Sequence, residues 1–372
     1  MTNSTHGCFK LAATTLILGM TAVLPAQAAE ELKFYNWSDY IAPDTIANFE
    51  KETGIDVIAD VFDSNEVLEA KLLTGSSGFD LVVPSSSFMG RQIIAGAFQP
   101  LNKSKIPNLK NLDPKMMDVL SKVDPDNAHG VPYLWGTTGI GYNIDKVREV
   151  LGDDAPVDSW DLIFKPENIK KLASCGVAIL DAPSEIIPLS LHYLGKDPNS
   201  FDRSDYKMSG PVGELLQSIR PHVTYFHSSQ YINDLANGDI CVAVGWSGDI
   251  IQAATRAEES DNGVKIDYSI PKEGTVVWFD MLTIPADASN TDNAHKFIDY
   301  LMRPEVMADI SNYVAYANAN LASVALIDAE IVNDKTIFPS DAVKAKLFSL
   351  KVLPRKIDRV MTRLWTDFKS GR

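Results

Sequence analysis

Positive charge is what this chain has too little of. Its 34 Lys and Arg stand against 49 Asp and Glu, a formal net charge of −15. Nucleic acid needs a basic surface, so that partner is argued against. A cationic small molecule, or plain solubility, suits the balance. Cysteine is scarce as well, three in 372 residues, too few for a disulfide-dense scaffold. Metal-ligand spacing is missing: apart from His6, the histidines are His129, His192, His222, His227 and His295, and none forms HExxH or a similar set. No metal and no cofactor is expected. Gly245-Trp246-Ser247-Gly248-Asp249 lacks the last glycine of a nucleophile elbow. Gly136 to Gly141 is glycine-rich without the phosphate-loop lysine. Asp124-Pro125-Asp126-Asn127 is half a calcium loop without its glycine and glutamate, and reads as a turn. No catalytic residue is assigned. Spacing alone leaves open a hydrolase with paired carboxylates, because acids are abundant.

What is there begins with an export leader. Lys10 is basic, Leu11 to Leu24 is apolar, and Ala26-Gln27-Ala28 is a small-x-small cleavage site, so residues 1–28 read as a signal peptide. The apolar run is short for a membrane anchor, and no later run is longer. An exported, soluble product follows. Its remaining cysteines, Cys175 and Cys241, read as one disulfide in an oxidising compartment, with two buried thiols as the alternative.

Strand and helix patterns alternate through the rest. Leu32 to Tyr35 and Ile55 to Val61 read as strands, and Phe79 to Val83 is a short apolar run of the buried parallel kind. Helices follow each, giving βαβαβα and a parallel sheet. Val131 to Asn143 is a long extended segment that reads as a crossing to a second α/β set. Ile266 to Pro285 reads as the crossing back. Two crossings between two α/β lobes describe a hinged clam. The expected lobes are 29–136 with 279–322, and 137–278 with 323–372.

Several strand ends pair an acid with an aromatic or a hydroxyl: Trp37-Ser38-Asp39-Tyr40, Ser85 to Phe88, Asp181 to Glu185, Trp246 to Asp249, Trp278-Phe279-Asp280, and Tyr316. Each has a plain explanation as a cap, a turn acid or a core ring. Together they suit an ammonium, which needs a counter-charge and an aromatic face when it leaves water. Asp280 resists the plain explanation, because it interrupts the apolar run Val276 to Leu282, where an unpaired carboxylate is costly. No arginine neighbours these motifs in sequence, which argues against an amino-acid ligand.

Asn36-Trp37-Ser38-Asp39-Tyr40, Phe79 to Pro84, Thr138 to Asn143, Tyr231 to Cys241 and Gly245-Trp246 resemble the periplasmic polyamine-binding proteins of ABC importers, most nearly the putrescine-binding branch, over essentially the whole mature chain. The resemblance implies a two-lobed periplasmic binding protein fold of type II. It further implies a periplasmic monomer that closes on a polyamine, putrescine first and spermidine second, and delivers it to an inner-membrane ABC permease. The pocket it implies is Trp37, Ser38, Asp39, Tyr40, Ser85, Glu185, Trp246, Asp249, Trp278, Asp280 and Tyr316, and the Cys175–Cys241 disulfide matches as well. Trp278 stands where the putrescine branch is expected to have phenylalanine and looks more like the spermidine branch. Asp249 and Asp280 are expected to take one ammonium, and Asp39 and Glu185, with Ser38, the other.

Overall fold

The computed structural model describes residues 1, 2, 4 and 30–371. The expected signal peptide, with Cys8, otherwise lies outside the described residues. Among the described residues no helix is long and apolar enough to cross a membrane.

Among the described residues ten strands carry the fold: β1 (Glu31–Trp37), β2 (Asp56–Phe62), β3 (Leu81–Val82), β4 (Gly130–Asn143), β5 (Val177–Ile179), β6 (Tyr225–Phe226), β7 (Val242–Trp246), β8 (Ile266–Ser269), β9 (Val277–Thr283) and β10 (Ala317–Asn318). β1, β2 and β3 are parallel neighbours in the order β2-β1-β3, and β9 then β4 continue the sheet antiparallel. The second lobe repeats the plan. β6, β5 and β7 are parallel in the order β6-β5-β7, and β4 lies antiparallel beside β7. Both sheets are therefore mixed. A strand returning from the other lobe enters beside the parallel set, and its direction is set by that return rather than by a βαβ unit.

β4 belongs to both sheets. Its first half pairs with β9 as far as Thr137, and from Thr138 it pairs with β7. At the junction Gly136 faces Trp278 and Thr137 faces Val277. The two crossings thus run side by side as one two-stranded connection. The first strand is longer than the sequence pattern suggests: Trp37 is its last residue, and the turn is Ser38 to Tyr40. Helices cover both faces. The helix Arg355–Ser370 buries Ile357, Met361, Leu364, Trp365 and Phe368 along one side. That spacing of three and four residues is one helical face.

Cys175 and Cys241 are bonded, with Cα atoms 5.5 Å apart and a sequence separation of 66. They join the entries to the neighbouring strands β5 and β7. A loop of that length restricts the unfolded chain by about 4 kcal/mol on the chain-entropy argument. The double variant Cys175→Ser with Cys241→Ser is therefore expected to lose roughly 2–4 kcal/mol of unfolding free energy, read from the urea midpoint. An unchanged midpoint would show that the bond constrains nothing the fold does not already hold.

Candidate functional site

In an open α/β sheet, ligands bind beyond the carboxyl ends of the strands, where the strand order reverses. Here two such reversals face each other. Chain leaving β1 carries Ser38, Asp39 and Tyr40. Chain leaving β3 carries Ser85. From the second sheet come Glu185, in the helix Pro183–Tyr193 after β5, and Asp249, in the helix Ser247–Glu259 after β7. A cavity between them is lined by Trp37, Ser38, Tyr40, Ser85, Glu185, Trp246, Asp249, Trp278, Asp280 and Tyr316, and further by Phe62, Asp63, Ser228, Ser229 and Ile232.

Three carboxylates in this cavity are buried: Asp280 is 3 % exposed, Asp249 5 % and Glu185 6 %. Each is oriented by two neutral donors. Asp280 accepts from Tyr40 Oη at 2.8 Å and Ser85 Oγ at 2.6 Å. Asp249 accepts from Tyr231 Oη at 2.7 Å and Tyr316 Oη at 2.8 Å. Glu185 accepts from Trp246 Nε1 at 3.2 Å and from the Thr138 hydroxyl. Asn65 fixes Ser85 in turn, donating from Nδ2 to Ser85 Oγ at 2.9 Å. Each carboxylate has about four acceptor positions, so two donors leave room for a ligand.

The walls are aromatic. Trp37 meets Trp246 edge-on across the cleft, ring centroids 5.3 Å apart. Tyr316 meets Tyr40 at 5.1 Å and Trp278 at 5.3 Å. Close approach requires glycine at two points. A Cβ on Gly248 would lie 2.4 Å from the Tyr316 ring, and one on Gly136 would lie 2.8 Å from the Trp278 ring.

Burial sets the electrostatics. It pushes Asp249, Asp280 and Glu185 each up to about 7, against the hydrogen bonds that pull them down. The acids also raise one another: Asp249 raises Asp280, and Glu66 and Asp280 raise Glu185. Glu66 is pushed up by burial too. It accepts from Ser184 Oγ at 2.9 Å, and its Oε2 is buried with no partner among the described residues.

Asp39 departs from the expectation. It does not line the cavity. Its carboxylate turns to the rim and pairs with Arg256, Oδ1 to Nη2 at 2.7 Å, while 41 % exposed. In the turn after Trp37, Asp39 adopts a left-handed backbone, φ 54°, a conformation that Asp tolerates better than most residues. The expected pairing of Asp39 with Glu185 around one ammonium is therefore corrected, and Glu185 has Glu66 as its acidic neighbour. An arginine does stand beside an acidic motif in space. Arg256 is occupied by Asp39 and by Asn233, at 2.8 Å, so it offers no free anion receptor. Sequence reasoning missed Asp63, Ser228, Ser229, Phe62 and Ile232. The signal for Asp63 was its place at the end of β2, the same kind of position that drew attention to Ser38.

The model of the family of bacterial extracellular solute-binding proteins matches residues 44–339. This chain belongs to that family. It is 62% identical over 347 residues to the putrescine-binding periplasmic protein PotF of Escherichia coli (strain K12), covering 93% of each chain. It is 57% identical to the putrescine-binding periplasmic protein SpuD of Pseudomonas aeruginosa (strain UCBPP-PA14), over 93% of this chain and 94% of that one. Among solved structures it resembles the spermidine/putrescine ABC transporter substrate-binding protein PotD from Streptococcus pneumoniae, with TM-score 0.71, 28% identity, and coverage of 92% and 99%. The fold is thus the two-lobed type II solute-binding fold.

Burying these three carboxyls makes stability depend on pH. An acid whose folded pKa is about 7, against about 4 unfolded, binds extra protons when folded, so ligand-free stability falls as pH rises from about 4 to 7. Ligand-free protein is expected to melt at a lower temperature at pH 7.5 than at pH 5.5. Asp280→Asn is expected to raise the pH 7.5 melting temperature by a few degrees. A flat melting profile, or a less stable variant, would contradict buried, uncompensated charge.

Proposed function

We propose that the cavity captures a linear polyamine, putrescine first, as the periplasmic step of an ABC importer. The protein is a binding protein rather than an enzyme, as the relatives it matches are. The observation that carries the reading is the set of three buried carboxylates in a cavity walled by tryptophan and tyrosine, with no Lys or Arg among its described lining residues. An α,ω-diamine supplies what is missing: two ammonium groups and an apolar stem. Asp249 and Asp280, held near each other, receive one ammonium. Glu185 receives the other beside Ser38. Trp37, Trp246, Trp278, Tyr40 and Tyr316 cover the methylenes and offer cation–π attraction, about 2 kcal/mol or more for a contact freed from water. A few such contacts reach the roughly −8 kcal/mol of micromolar binding after ordering costs.

Closure belongs to this reading. Trp37 comes from the first sheet and Trp246 from the second, so the full site exists only when the lobes meet. The Asp39–Arg256 and Ser184–Glu66 contacts cross the same gap and favour the closed state. The lobe limits 29–136 with 279–322 and 137–278 with 323–372 are supported by the pairing of Gly136 with Trp278. Delivery to an inner-membrane permease and action as a monomer complete the proposal; a dimer in sedimentation equilibrium would remove the latter.

Calorimetric titration with putrescine, cadaverine, spermidine and spermine tests the class and the chain length together. Putrescine is expected to bind most tightly; saturable binding of amino acids or sugars without diamines would overturn the proposal. Asp280→Asn is expected to weaken putrescine more than tenfold, because a buried charge-assisted bond is lost. Trp278 lines the cavity and stands where the putrescine branch is expected to have phenylalanine, so Trp278→Phe is expected to shift preference towards putrescine over spermidine; an unchanged ratio would clear that ring of a selective role. Affinity should also follow the carboxyls. Ligand binds their ionised forms, so affinity is full above pH 7 and falls as pH drops through about 7. The amines stay protonated throughout that range. Affinity that is equal at pH 6 and pH 8 would argue that the acids are ionised before ligand arrives.

A further inference from the structure

The cavity runs on past the acids that a diamine uses. Across the first sheet the strand order is β2-β1-β3-β9. The cavity takes a residue from each: Asp63 just after β2, Trp37 and Ser38 at the end of β1, Ser85 after β3, and Asp280 on β9. These positions form a line along the cleft. The second sheet offers a matching line, with Ser228 and Ser229 after β6, Glu185 after β5 and Asp249 after β7.

Spacing along that line is set by the sheet, at about 4.8 Å per strand. From β9 to β1 is two spacings, roughly 10 Å, which holds a four-carbon diamine and its contacts at both ends. An all-trans chain advances about 1.2 Å per bond, so the five bonds between the amines of such a diamine span roughly 6 Å. From β1 to β2 is one further spacing, roughly 5 Å. An added aminopropyl arm contributes four bonds, also roughly 5 Å. The next amine of a triamine therefore arrives at the end of β2.

Asp63 is the acid that stands there. Its carboxylate has no hydrogen-bond or ion-pair partner among the described residues, and the side chain is half-buried, unlike the inner three acids. Burial thus decreases along the line from Asp280 to Asp63, as a route for a longer ligand requires. Ser228 and Ser229 face the same stretch of cavity from the other lobe.

We propose that Asp63 is a specificity-determining residue of the pocket, receiving the outer amine of a triamine and leaving a diamine untouched. The inference rests on the polyamine reading above. Asp63 distinguishes ligands by length, whereas Asp249, Asp280 and Glu185 serve them all.

Titration of the mature protein and of Asp63→Asn with putrescine and with spermidine tests it. The variant is expected to weaken spermidine at least fivefold and putrescine less than twofold. Asp63→Lys, which places a cation at the mouth, is expected to weaken spermidine at least twentyfold with a smaller effect on putrescine. Melting temperatures of both variants are expected to match the parent, since Asp63 has no partner to lose. Equal losses for both ligands, or none, would overturn the role of Asp63 while leaving the polyamine reading intact. A parent that binds putrescine but not spermidine would do the same. A parent that binds neither would overturn the functional reading itself.

Discussion

Three carboxylates taken out of water in a cavity with no Lys or Arg among its described lining residues are the constraint on which the rest of this structure depends. Isolated buried charge is costly, and a protein concerned only with stability would replace these side chains with apolar ones. Here they are kept and fixed by Tyr40, Ser85, Tyr231, Tyr316, Trp246 and Thr138. Neutral donors orient the acids without neutralising them. That arrangement is what a cation-binding site requires.

The fold turns that chemistry into a cleft. Each lobe has a parallel set whose order reverses beside its first strand, β2-β1-β3 in one and β6-β5-β7 in the other. The reversal opens a crevice at the strand ends, and the two crevices face each other. β4 and β9 join the lobes as paired extended segments. A connection of this kind is where a hinge closure of two lobes would bend. The rim contacts cross the gap where that motion ends. Asp39 with Arg256 is partly exposed and contributes modestly in water. Its value is geometric: it ties the turn after β1 to the helix after β7.

Much of this was legible in the chain. Alternating patterns announced α/β lobes, and the two long extended runs announced the crossings. Asp280 declared itself because a carboxylate inside Val276 to Leu282 has no cheap local explanation. Aromatic–acid pairs at strand ends marked ten of the eleven expected residues that line the cavity. Less was legible where function depends on partners distant in sequence. Asp39 and Arg256 are 217 residues apart, and nothing in either neighbourhood announces the pair. Asp63 carries no aromatic beside it except Phe62, which reads as the end of a strand. The mixed character of the sheets was hidden too, since β9 looks like any apolar strand until its neighbours are known.

Local chemistry, then, was decided by the sequence alone: which segments extend, which coil, where acids and rings sit at strand ends, and that two cysteines are left to pair. Those properties depend on neighbours a few residues away, so one dimension suffices. Only the tertiary structure decided which acids share a cavity, which one turns outward to an arginine, and in what order they line the cleft. That order follows from strand adjacency, and adjacency is set by long-range packing that no short stretch of chain records.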